Sequence, residues 1–178
     1  MRVIGGEFRS RALKSVAGLD VRPTPDRLRE ALFNVLAPRI EGVVFADVYA
    51  GTGAVGIEAL SRGAARAIFV EQSREAAAVI RENLRALGLE ARAILRHSRA
   101  SAALPQIDSD IVFVDPPYDQ QQEYERAMAW LAEKPPALAI VQHSVRLQLK
   151  ERYGAIERKR VMKQGDNALS FYEPVTAC

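Results

Sequence analysis

Cysteine is nearly absent from this chain: of 178 residues only the last, Cys178, is one. No disulfide can form within the chain and no zinc site built on paired cysteines is available, which fits a reducing, cytoplasmic setting. Histidine is scarce too, with only His97 and His143, and neither has a companion at metal-ligand spacing, so no metal is expected. The one tryptophan, Trp130, falls on an amphipathic stretch where packing explains it better than stacking. No window approaches the ~18 consecutive apolar residues of a membrane helix. The start, Met1-Arg2-Val3-Ile4-Gly5-Gly6-Glu7, turns polar too early for a signal peptide. Repeats and low-complexity tracts are lacking. A composition of 48% hydrophobic and 26% charged residues is enough for one domain with a sizeable core.

The pattern that is present alternates strands with helices. Pro25-Asp26 opens a helix through about Leu36, with Leu28, Leu32, Val35 and Leu36 on one face. Strands are predicted near 43–48, 67–71, 91–96, 110–115 and 138–142, separated by helices near 54–62, 73–88 and 121–133. The second of these helices carries a Ser73 cap and a Gly88 stop. Two further strands, near 155–162 and 167–173, are joined by the hairpin signal Gln164-Gly165-Asp166-Asn167. This order implies an α/β fold: a mostly parallel, seven-stranded sheet wound on both faces and closed by a C-terminal antiparallel hairpin. Residues 1–21 read as a short basic β-hairpin arm ahead of a domain over 22–178, with its turn near Gly5-Gly6 or Phe8-Arg9.

Two motifs carry chemistry. Val43-Val44-Phe45-Ala46-Asp47-Val48-Tyr49-Ala50-Gly51-Thr52-Gly53 is a buried strand running into a glycine loop and a helix start. Such a loop brings backbone close to a ligand and offers free N–H groups. Gly51-x-Gly53-x-x-Gly56 also satisfies the dinucleotide fingerprint, with Glu71 twenty residues past Gly51 where a ribose-binding acid would sit. Asp47 separates the readings, because an acid there suits the ammonium of S-adenosylmethionine, which NAD lacks. Tyr49, before the loop, either shapes the cofactor pocket or is a buried aromatic.

The second motif, Asp115-Pro116-Pro117-Tyr118, ends the apolar run Ile111-Val112-Phe113-Val114. A conjugated exocyclic amine is a poor nucleophile, so a site that methylates one must hold the nitrogen and draw its lone pair back. The Asp115 carboxylate and the Pro116 carbonyl are suitable acceptors, the prolines (Pro117 included) stiffen the loop, and Tyr118 offers a face for an extruded base. In open parallel sheets ligands bind at the carboxyl ends of the strands, where Asp47, Glu71 and Asp115 all fall. Methyl transfer onto an amine follows. The reaction needs no metal, since a sulfonium already activates the methyl and positioning supplies the rest.

Charge is placed unevenly. Up to residue 29 the chain carries seven basic residues, among them Arg2, Arg9, Arg11, Arg22 and Arg27, against three acids. A basic arm of this kind suits a phosphate backbone, with contacts that add affinity without reading sequence. Arg158-Lys159-Arg160 with Lys163 forms a second basic run, as consistent with a solvated face as with RNA.

Several stretches resemble the RsmD type of ribosomal RNA guanine-N2 methyltransferase: the opening Met1 to Arg11, the segment Arg22-Pro23-Thr24-Pro25 through Arg29-Glu30-Ala31-Leu32-Phe33-Asn34, Ala50 to Gly53, Glu58 to Ala64, and Val114 to Tyr118. The resemblance implies the class I S-adenosylmethionine-dependent methyltransferase fold. It further implies 16S ribosomal RNA, held within the small subunit, as substrate, and a monomeric enzyme. Where such enzymes often carry an adenine-contacting acid or amide, this chain has His97-Ser98-Arg99, leaving Ser98 or backbone for that contact. Amine methylation of DNA adenine or a protein glutamine, a non-catalytic RNA- or cofactor-binding module, and a dinucleotide oxidoreductase are the competing readings.

Overall fold

The computed structural model describes residues 1–16 and 24–176. Arg22 and Cys178 lie outside these residues. Eight strands form one sheet in the order β3-β2-β1-β4-β5-β8-β7-β6. The parallel part comprises β1 (Val44–Val48), β2 (Arg66–Glu71), β3 (Ala93–His97), β4 (Ile111–Val114) and β5 (Leu138–Ser144). β8 (Asn167–Pro174) pairs antiparallel with β5 and with β7 (Ile156–Gln164), in agreement with the hairpin signal. The eighth strand, β6 (Arg152–Tyr153), escapes the sequence pattern, because two residues leave no alternation to read.

Helices cover both faces. α1 (Asp26–Leu36) buries Leu28, Leu32, Phe33 and Leu36 against Phe45, Ile140, Leu169 and Phe171 on one face of the sheet. On the other face, α5 (Gln121–Glu133) sets Tyr124, Met128 and Leu131 against Val112, Val114, Val141 and Tyr172, with the short helix α4 (Ala100–Ala103) beside them. α2 (Ala54–Ser61) and α3 (Arg74–Leu87) close a third cluster over Phe69 and Ala67. α3 starts and stops as its sequence dictates: Ser73 Oγ accepts from the Ala76 amide at 3.2 Å, and Gly88 ends the helix at φ +66°. Trp130 packs against the α5 cluster, consistent with a structural role. Among the described residues no helix is long and apolar enough to cross a membrane.

The N-terminal arm is bound tightly to the domain. Among the described residues its pairing is a single antiparallel bridge, Arg2 to Ala12, with a turn through residues 6–11, rather than two ladder-forming strands. Glu58, fully buried on α2, accepts from the Ile4 and Gly5 amides at 2.8 Å each and from Arg62 Nε at 2.8 Å, with Arg29 Nε 3.8 Å away. A buried carboxylate costs several kcal/mol unless its lone pairs are filled, and these donors fill them. Arg29, itself fully buried, donates to the Arg2 carbonyl at 2.6 Å, so one ion pair joins the arm, α1 and α2. Asn83 on α3 adds a second tie, exchanging bonds with the backbone of Lys14.

Candidate functional site

The strand order runs outward in opposite directions from the junction of β1 and β4, and open α/β sheets place ligands outside the carboxyl ends of strands at such a reversal. A cleft sits there. It is lined by Asp47, Tyr49, Gly51 and Thr52 from β1 and its loop, Phe113 and Asp115 from β4 and its end, and Thr24 from the segment before α1. The expected convergence of acids is present: register pairs Val48 with both Val70 and Val114, so Asp47, Glu71 and Asp115 crown three adjacent strands.

The glycine loop is shaped by its own backbone. Gly53 caps α2 at φ +79°, a left-handed conformation that side chains resist. Gly56, the third glycine of the fingerprint, has a different reason: a Cβ there would lie 2.3 Å from the Phe69 ring, so this glycine permits close helix-strand packing. Asp47, almost wholly buried, accepts from the Gly56 amide at 2.8 Å. It therefore caps α2 from within the sheet and occupies an amide that an incoming pyrophosphate would otherwise use. Glu71 holds the loop from outside, accepting from the Gly51 amide at 2.7 Å and the Ser73 amide at 2.8 Å. Tyr49 is held in the left-handed region at φ +68°, and its hydroxyl donates to Glu123 on α5 at 2.7 Å. Ser98 sits past the end of β3, its amide donating to the Glu71 carbonyl at 3.1 Å.

Electrostatics single out two of the acids. Burial pushes the Asp47 carboxyl up to about 7 against the opposing Gly56 hydrogen bond, and Glu71 adds repulsion. Burial pushes Asp115 well above the carboxylate range, with the Asp47 charge second. Among the described residues no hydrogen bond reaches the Asp115 carboxyl, although Pro116 beside it is buried. An acidic group in this state is available to a ligand.

The rest of the tetrapeptide is anchored. Tyr124 on α5, which no sequence motif marks, donates its hydroxyl to the Pro116 carbonyl at 3.1 Å and to the Gln142 carbonyl at 3.2 Å. Tyr118 donates to Asn167 at the start of β8 and packs its ring partly against the core. Pro117 is exposed at the rim. His143 is structural: its Nδ1 lies 2.8 Å from the Ser144 carbonyl and must carry the proton, leaving Nε2 to accept from Ser170, and burial holds its pKa down. Among the described residues the ring of His97, at the end of β3, meets the Gln72 carbonyl at 3.1 Å.

Apart from Arg29, the described basic residues of the arm and of α1 are exposed. Arg2 follows Met1, whose sulfur touches Thr52 of the cleft, and Arg27 lies three residues past Thr24, which lines it. Arg11 lies beside Arg2 across the bridge, its carbonyl accepting from the Val3 amide at 3.0 Å, and its side chain reaches the Ala86 carbonyl near the end of α3. Arg9 sits in the turn that is fixed at Ser61, the last residue of α2.

The family described as "Conserved hypothetical protein 95" matches residues 1–173. Ribosomal RNA small subunit methyltransferase D of Haemophilus influenzae is 36% identical over 151 residues, covering 80% of this chain and 78% of that protein. The chain belongs to the RsmD-type methyltransferase family. The Escherichia coli K12 protein of the same name is 42% identical over 119 residues, spanning 66% of this chain and 60% of that protein. Among solved structures, yhhF of Escherichia coli superposes with a TM-score of 0.85 at 36% identity, covering 98% of this chain and 97% of that one. The class I methyltransferase fold expected from the strand pattern is therefore the fold observed.

Proposed function

We propose that this protein transfers a methyl group from S-adenosylmethionine to the exocyclic N2 amine of a guanine in small-subunit ribosomal RNA. The observation that carries the reading is the Asp115 carboxyl, recessed, unbonded within the described residues, and facing the same cleft as the glycine loop and Asp47. The small subunit as the source of the RNA rests on what the Haemophilus and Escherichia relatives are named for.

The residues present fit the cofactor. Gly51 and Gly53 open the backbone to a ligand, and Asp47 presents a carboxyl suited to an ammonium. Glu71 keeps a free lone pair on each oxygen for ribose hydroxyls, although each oxygen already accepts one amide. In this reading Ser98, past the end of β3, or the backbone beside it meets the adenine side. When bound, S-adenosylmethionine supplies a methyl activated on a sulfonium.

The chain's own groups do the remainder. Asp115 and the second lone pair of the Pro116 carbonyl accept the two N–H groups of the amine and orient its nitrogen. Tyr118 lends a ring face to the extruded base, and the buried walls exclude water. As the N–C bond forms and the S–C bond breaks, the nitrogen becomes acidic and its proton leaves to Asp115 or to water. Arg2, Arg9, Arg11, Arg22 and Arg27 contact phosphates of the RNA.

The test is radiolabel transfer to small ribosomal subunits lacking the modification, with naked ribosomal RNA and duplex DNA in parallel, followed by nucleoside analysis. N2-methylguanosine in the RNA is the expected product. Label in DNA or protein alone overturns the substrate, and cofactor binding without label anywhere overturns the activity.

A further inference from the structure

Beside the tetrapeptide, on the face of the sheet covered by α1, lies a group of carboxamides that the reaction chemistry does not use. Gln142, on β5, is 3% exposed. Its Oε1 accepts from Thr24 Oγ1 at 3.1 Å, and Thr24 lines the cleft together with Asp47 and Asp115. The Gln142 carbonyl and the Pro116 carbonyl share the Tyr124 hydroxyl, so Gln142 and the proposed amine acceptor stand one hydroxyl apart. With Oε1 held by Thr24, both N–H donors of the amide are on its other branch, and among the described residues none of them has a partner. Two residues on, at the end of β5, the register sets Ser144, Asn167 and Gln164 side by side across the sheet. Asn167 there receives Tyr118, and Gln164 Oε1 is buried without a hydrogen bond.

Of this group only Gln164 Oε1 is sealed without a partner among the described residues; Gln142 Nε2 is not, so its donors stay open to solvent and to a ligand. The edge of guanine that carries N2 presents two adjacent donors, N2–H and N1–H, followed by an acceptor, O6. The edge of adenine that carries its amine presents one donor, one acceptor and then a C–H. Asp115 and the Pro116 carbonyl supply acceptors. A donor two positions from the amine is what guanine calls for and adenine cannot use.

We infer that Gln142, fixed by Thr24, is a specificity-determining residue that donates to O6 of the target guanine. This rests on the amine-methylation reading above. Thr24 is a positioning residue: it fixes which end of the amide faces Thr24 and which faces away. The Arg-Pro-Thr segment ahead of α1 thereby gains a function through Thr24, its described member.

The test uses the full chain and ribosomal RNA carrying, at the nucleotide that the label maps to, either guanine or 2-aminopurine, which keeps the amine and lacks O6 and the N1 hydrogen. The wild type is expected to prefer guanine by about tenfold or more in kcat/KM. Gln142→Met conserves volume and removes the donor, so it is expected to lose at least ten times more rate on guanine than on 2-aminopurine. Thr24→Val is expected to reproduce that loss and Thr24→Ser to restore the preference. Thermal melting and S-adenosylmethionine titration establish that each variant is folded and binds cofactor. Equal loss on both bases, or an unchanged preference in Gln142→Met, overturns the inference while leaving amine methylation intact. Absence of label on either RNA with the wild type overturns both.

Discussion

Asp115 and Asp47 face one cleft from neighbouring parallel strands, and the charge of Asp47 helps burial to hold the Asp115 carboxyl far above its ordinary range. Two acids so placed hold their protons until a cation arrives, so a cationic cofactor would favour their ionised forms where it and an amine meet.

Asp115→Asn keeps the shape of the side chain and removes its charge. Methyl transfer is expected to fall by about a hundredfold or more, in the range seen when a positioned polar group is removed from an active site. S-adenosylmethionine affinity should stay within about threefold of wild type by calorimetric titration. Equal loss of binding and transfer would contradict the division of roles between Asp115 and the glycine loop.

Glu71→Ala removes the acceptor for the Gly51 and Ser73 amides as well as the proposed ribose partner. Two charge-assisted hydrogen bonds are at stake, each worth about 1.5–3 kcal/mol. The KM for S-adenosylmethionine should rise at least tenfold with a smaller change in kcat. A fall in kcat alone, measured under saturating cofactor, would count against the assignment.

The cofactor-free protein should lose stability as pH rises. The folded-state pKa of Asp47, at about 7, lies above its unfolded value of about 3.9. The folded state therefore holds the extra proton between these limits, and its advantage is complete below about pH 4 and gone once pH climbs through about 7. Three pKa units amount to roughly 4 kcal/mol at most. Asp47→Asn, whose amide oxygen still accepts from Gly56, should make the fall in melting temperature between pH 5 and pH 8 shallower. Asp115, raised in the same direction, retains the remaining slope. His143 titrates equally in both proteins and cancels in the comparison. Parallel curves for the two proteins would refute the assignment.

Glu58→Ala should destabilise the fold by about 3–5 kcal/mol, because among the described residues it leaves the buried Arg29 cation with only the exposed Asp26 carboxylate beside it. Burial already pulls the Arg29 pKa down, and Glu58 is the first charge opposing that effect. For a chain of this size the melting temperature should drop by about 10 °C. Limited proteolysis should release the segment before residue 16 sooner than in the wild type. Wild-type melting with wild-type protease resistance would show that the arm is held by its apolar contacts alone.

RNA affinity should depend on the arginines of the arm. Neutralising Arg2 and Arg11, neighbours across the Arg2–Ala12 bridge, should weaken binding and lower the salt slope by about 0.7–0.9 for each phosphate no longer neutralised. An unchanged affinity and salt slope in the double variant would remove the arm from the RNA interface.

Local rules made much of this protein legible before folding. Ser73 and Gly88 mark both ends of α3 through hydrogen bonds made within a few residues. The apolar runs around Phe45, Phe69 and Phe113 read as central strands because they are buried on both faces, and the loop Gly51 to Gly53 and the tetrapeptide at Asp115 followed directly from strand ends. Chain order and residue type therefore fixed the fold class, the rim where the acids gather and the kind of chemistry that the rim can hold.

Tertiary structure alone decided the partners. Glu58 and Arg29 are twenty-nine residues apart and look like ordinary surface charges on helices, yet both are fully buried and hold the arm. Thr24 and Gln142 are 118 residues apart, and Tyr124 reaches Pro116 only because α5 crosses back over β4 and β5. Whether a polar side chain ends in water or in a dry contact depends on which distant segment covers it. Periodicity along the chain carries no information about that pairing, since its energy arises only when the layers close.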